Sequence, residues 1–167
     1  NLFVVASETD GGARAGVMIY ARGAQEPAYP TLMSSDSSAG PPIVWGAISG
    51  ISADRQQAGR FWAVTDSVYA QTRILQIDTN MRPALISQAI TLTKGGQPTG
   101  YDAERLAQRT DGGFWVASEG DPDNKAGAVP NLLLRVSSKG EVEEEIRLPE
   151  EWAKQATRFG LEGVTVT

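Results

Sequence analysis

Apolar positions in this chain fall in short runs separated by polar turns, and the runs recur in a fixed order. Phe114-Trp115-Val116-Ala117-Ser118-Glu119 stands beside Phe61-Trp62-Ala63-Val64-Thr65-Asp66 and Phe3-Val4-Val5-Ala6-Ser7-Glu8. Each copy passes from an aromatic through aliphatics to a small hydroxyl residue and then a carboxylate. The carboxylates lie 58 residues apart (8 to 66) and 53 apart (66 to 119). A second apolar run follows each copy, at 17–20, 73–78 and 132–136, and a third closes the last two, at 84–92 and 141–148. The strand that opens the unit also recurs, as Ser49-Gly50-Ile51, Glu104-Arg105-Leu106 and Glu162-Gly163-Val164. Asp111-Gly112-Gly113, between two apolar runs, marks a tight hairpin, because such a turn needs residues that tolerate positive φ.

A repeat of about 50 residues with four strands per unit is the signature of a β-propeller blade. The expected class is all-β: four-stranded antiparallel blades, about three of them in this segment of a larger, six-bladed propeller. The boundaries read as 1–45, 46–98 and 99–148, with 149–167 starting the next blade. Aromatic-rich strands in another all-β fold are the rival reading. Residues 23–42, rich in Pro, Ser, Gly and Ala, read as a long loop or irregular edge strand, or else as a linker. The nearly uncharged run 43–51 suits an innermost strand. Residues 54–59 supply a turn, 93–100 a blade boundary, 119–129 a long loop and 149–157 one or two helical turns. The acidic run 141–145 reads as an outer strand with a solvated face. Both ends fall inside blades, which makes a segment of a longer protein the expectation. An open wedge of blades exposes strand edges and predicts self-association.

Composition narrows the chemistry. The 167 residues carry a formal charge of −5 with both signs interspersed, so no basic face offers itself to nucleic acid. No apolar stretch approaches the length of a membrane span. The chain has no cysteine and no histidine, which removes thiolate catalysis, Ser-His-Asp catalysis and imidazole-ligated zinc. Chemistry must rest on carboxylates.

Equivalent positions in successive blades are related by rotation about the channel axis, so repeated acids converge there. Glu8, Asp66 and Glu119 occupy one such position. Glu104 and Glu162 occupy a second, on the innermost strand, where the first full blade has Ser49; Asp102 precedes Glu104 by two and shares its face by strand alternation. Clustered carboxylates repel unless they bind a cation or share protons. With oxygen donors only, the expected ion is hard: calcium first, then magnesium or manganese. Loop capping through backbone N–H groups is the alternative role for these acids. The run 121–127 lacks the downstream glutamate of a calcium loop and reads as a polar loop. Ser49 lacks both the spacing and the base of a nucleophile elbow.

The segments SGIS, GRFWAVTDS, YDAERLA, DGGFWVASEG, NLLLRVSSKGEV and FGLEGVTVT together resemble the bacterial family named for esterase-like activity of phytase, from Trp45 onward. That family is similar in fold to β-propeller phytases. The resemblance implies a periplasmic or secreted hydrolase acting with calcium on a small-molecule ester, a phosphoester first. It points to Glu104, Glu119 and Glu162 as catalytic acids and to Asp66, Asp102, Glu104 and Glu162 as metal ligands. One departure stands out: Arg105 replaces the family's glycine after the innermost-strand glutamate, while Gly50 and Gly163 are retained. Arg105 is either a phosphate-binding residue or the mark of a lost metal site. A metal-dependent lactonase of propeller type and a non-catalytic binding or scaffold module are the other readings.

Overall fold

The structure is a computed structural model and describes residues 2–7, 16–21, 31–34, 43–122, 124–156 and 160–166. The described part is all-β apart from one helical turn. Strands β1 (Leu2–Ser7) and β2 (Gly16–Ala21) form an antiparallel hairpin. Strand β3 (Leu32–Ser34) is followed by β4 (Ile48–Ala53), β5 (Arg60–Thr65), β6 (Arg73–Asp78) and β7 (Ala84–Thr91). The last four pair antiparallel in chain order, and β3 adds to the outer edge, parallel to β7. Part of the Pro- and Ser-rich stretch is thus an edge strand; Pro27, Pro30, Pro41 and Pro42 lie outside the described residues. A short hairpin, β8 (Thr93–Lys94) and β9 (Gln97–Pro98), leads to the second sheet. That sheet runs β10 (Asp102–Gln108), β11 (Phe114–Glu119), β12 (Leu132–Val136) and β13 (Val142–Arg147), again antiparallel in chain order. Helix α1 (Glu150–Ala153) begins after Pro149, whose fixed φ suits a helix start.

The turns form where the sequence places them. Gly112 adopts φ 86°, and the Arg109 N–H donates to the Gly113 carbonyl at 2.8 Å to close the β10–β11 hairpin. The innermost strand starts later than the apolar run 43–51 suggests. Ala47 sits in the left-handed region at φ 44°, and a Cβ on Gly46 would lie 2.9 Å from the Tyr69 hydroxyl oxygen. The backbone therefore bends over Tyr69 before regular pairing starts at Ile48. At the other end, residues 160–166 form no strand among the described residues, although Val164-Thr165-Val166 reads as one. Hydrogen bonding to an asparagine, described below, holds this segment in place of a ladder.

The two large sheets share one core and pack in a directed way. Trp62, Val64 and Ile74 of the first sheet cluster with Leu106, Phe114, Val116 and Leu134 of the second. Trp62 meets Phe114 edge to face, with ring centroids 5.1 Å apart and planes at 68°. In the repeat, Phe61 corresponds to Phe114 and Trp62 to Trp115. The Trp face of one sheet therefore packs on the Phe face of the next. The Phe61 face of the first sheet packs in turn with Ile77, Ile86 and Ile19 of β2. At the outer rim, the Thr93 hydroxyl and the Gly95 N–H (2.7 Å) donate to the Glu141 carboxylate, which ties the β8–β9 hairpin to the β13 end. The acidic run thus holds a structural contact, while β13 keeps its exposed face.

Candidate metal centre

The carboxylates meet where β5 and β11 end and β10 begins. Asp66 directly follows β5; its N–H donates to the Ala47 carbonyl at 2.8 Å, and its carboxylate accepts from the Ser67 N–H. Asp102 opens β10 directly opposite Glu119, the last residue of β11. Glu104 sits in a β-bulge: Ala103 pairs with Ser118 and Arg105 with Ala117, leaving Glu104 as the extra residue. The same irregularity occurs in β4 between Ile48 and Gly50, with Ser49 as the extra residue. The two bulges face each other across the sheets. The Ser49 hydroxyl donates to the Ala103 carbonyl, and a Cβ on Gly50 would lie 2.6 Å from the Glu104 carbonyl oxygen and 2.7 Å from the Arg105 Cα. Glycine is required at position 50 because two backbones touch there.

This arrangement brings Asp66, Asp102 and Glu104 together, each offering an oxygen within 4.8 Å of the others. All three are partly buried. Glu104 responds to that company: its carboxyl is pushed up from 4.5 to about 7, first by burial and then by the charges of Asp66, Asp102, Glu162 and Glu119. The donor set suits a hard divalent cation, since every candidate ligand is a carboxylate oxygen and the trio spans an ion's coordination sphere. A cation would also relieve the repulsion that pushes the Glu104 carboxyl up.

A family model described as phytase-like, esterase-like activity of phytase, matches residues 43–167. The chain belongs to this phytase-like family. Neither a curated protein nor a solved structure matches the chain significantly.

Within this phytase-like chain, the predicted residues are placed unequally. Asp66, Asp102 and Glu104 converge as the repeat suggests. Glu119 is 9% exposed and faces Asp102 across the ladder, and Glu162 is exposed on the 160–166 segment; both act on Glu104 through their charge. Arg105 is exposed on the step after the bulge, opposite Ala117. Glu8 lies outside the described residues. A residue that the sequence reading passes over is Asn131, which is 6% exposed. Its Oδ1 accepts from the Gly120 N–H at 3.1 Å and the Leu161 N–H at 3.0 Å, fastening the segment that carries Glu162 to the end of β11 that carries Glu119. Gly160 packs so closely on this amide that a Cβ there would overlap Asn131. A lone Asn between a loop and an apolar strand has no motif to announce it.

Proposed function

We propose that this chain is part of a β-propeller hydrolase, periplasmic or secreted, that cleaves small esters, phosphoesters first, with a divalent cation, calcium foremost. The observation that carries the reading is the Asp66, Asp102 and Glu104 trio, whose oxygens lie within 4.8 Å of one another in a phytase-like chain. The head-to-tail packing of the two large sheets, each with four antiparallel strands in chain order and the first with β3 added at its edge, supports the propeller, because rotation about one axis relates blades in that sense.

Asp66, Asp102 and Glu104 would hold the ion, with Glu162 at the rim. Such an ion supplies Lewis-acid polarisation of a phosphoryl or carbonyl oxygen. Glu104 and Glu119 would be the carboxylates at hand to take a proton from attacking water and return it to the leaving alcohol. Glu119, buried beside Asp102, keeps the negative field that tunes Glu104. Arg105, exposed one residue on, is placed to meet an anionic substrate as it arrives.

Thermal unfolding with calcium and with chelator tests this, for the wild type and for Glu104→Gln. The expected outcome is a raised midpoint with calcium, lost in the variant, together with calcium-dependent turnover of a phosphoester. An unchanged midpoint in both proteins would make the cluster structural and favour a binding module.

A further inference from the structure

Beside the trio lies a cleft of about 400 Å³, within the size range of small-molecule sites. Its wall is mostly apolar and includes Tyr69, Tyr101, Val129 and Leu132, with the Ser67 and Asp102 positions at the edge nearest the carboxylates. Asp102 belongs to both cleft and trio, so a molecule filling the cleft reaches the cation position. We propose that this cleft takes the uncharged, apolar or aromatic alcohol portion of a monoester whose single anionic head sits at the trio, and that it rejects polyphosphorylated substrates. This rests on the hydrolase reading above and specifies its substrate class.

Charge decides the matter. Asp102 is the one charged residue among the described residues that line the cleft. Each phosphate beyond the one held by the cation would need a cationic partner there. It would instead lie beside Asp102, since Arg105 is not among the residues that line the cleft, and like charges at short range are costly. A second depression, of about 390 Å³, shares Val129 and carries one cation, Arg147, and one anion, Glu150, so it adds no net positive charge. The cleft is also preformed. The loop carrying Tyr69 is seated by two close approaches: a Cβ on Gly46 would meet the Tyr69 hydroxyl oxygen at 2.9 Å, and one on Gly100 would meet the Ala70 carbonyl oxygen at 2.8 Å. A mostly apolar wall already in place favours a flat, uncharged group, whose entry releases water.

The test uses two readouts on the whole chain and two variants. Val129 is 45% exposed, so Val129→Lys adds a cation to the wall without disturbing the core; Tyr69→Ala removes the ring. In chelator, calorimetry is expected to show saturable 1:1 binding of 4-methylphenol, weakened at least fivefold by Tyr69→Ala while the affinity for calcium is unchanged. In calcium, kcat/KM is expected to favour phenyl phosphate over inositol hexakisphosphate at least tenfold, and Val129→Lys to shrink that ratio at least fivefold. If 4-methylphenol binds as described but no ester turns over, the cleft stands and the hydrolase reading falls. If esters turn over but 4-methylphenol does not bind, or Tyr69→Ala leaves its binding unchanged, or inositol hexakisphosphate is preferred, the cleft assignment is overturned and the hydrolase stands.

Discussion

Glu104 shows how a single residue reports the state of the whole centre. Its carboxyl binds a proton more tightly in the folded chain (about 7) than in an ordinary environment (4.5), because burial and four neighbouring carboxylates oppose its charge. A raised acid contributes stability that is complete below the unfolded value and is lost as pH rises towards the folded value. Without a cation, stability is therefore expected to fall between about pH 4.5 and pH 7. The linkage ceiling for such a shift is about 3 kcal/mol. Glu104 is only partly buried, so solvent screening brings the expected loss nearer about 1 kcal/mol. Urea unfolding at stepped pH in chelator measures it; Glu104→Gln and added calcium should each flatten the profile. A profile equally steep in Glu104→Gln would place the titration elsewhere. That these acids meet was legible in part, since the repeat puts Asp66 and Glu119 at one recurring position and Glu104 and Glu162 at a second, and both recur around one axis. That Glu104 sits on a bulge was not, because period-two alternation carries no mark of an inserted residue.

Among the elements, the paired bulges of β4 and β10 set where the acids stand. They work because Gly50 lets the two backbones touch: its missing Cβ leaves the space that the Glu104 carbonyl and Arg105 Cα occupy. Gly50→Ala would force those backbones apart, and overpacking against atoms that cannot rotate away costs about 2–3 kcal/mol. The variant is expected to lower the melting midpoint and to weaken calcium affinity together. Gly163→Ala, where the structure shows nothing within 4 Å of an added Cβ, should leave both unchanged. Glycine after the opening residue was visible in two copies of the repeat, but its reason differs between them, and only three-dimensional proximity separates the two. The hairpins, the alternating strands and the helical turn at Glu150 were legible because each follows from local chemistry. The late start of β4 depends on Tyr69, distant in sequence, and residues 160–166 depend on Asn131; neither contact has a local signal.

At the scale of the molecule, the two sheets share a core through Trp62 and Phe114 and are clasped at the rim by Glu141. Sheets joined at core and rim are expected to open together. Native-state hydrogen exchange should give the central amides of β6 and β12 the same opening free energy, with the same denaturant dependence. Separate values would show that the sheets unfold independently. The all-β class and the order of strands were legible from the repeat, whereas the way the sheets stack was not, since Trp62 meets Phe114 and not its own counterpart Trp115. That stacking has a direction, Trp face onto Phe face, and a directed contact never exhausts itself. In the proposed propeller, each added sheet would present the same face as the one before. Only a constant angle between neighbours can bring such a series back to its start and close it as a ring; the same contact at a slightly different angle would wind into an open fibre. The Gly50 contact and the Glu141 clasp, at opposite margins of the sheet pair, fix the angle between these two sheets, and in a closed propeller that angle would be the one that decides between a ring and an endless filament.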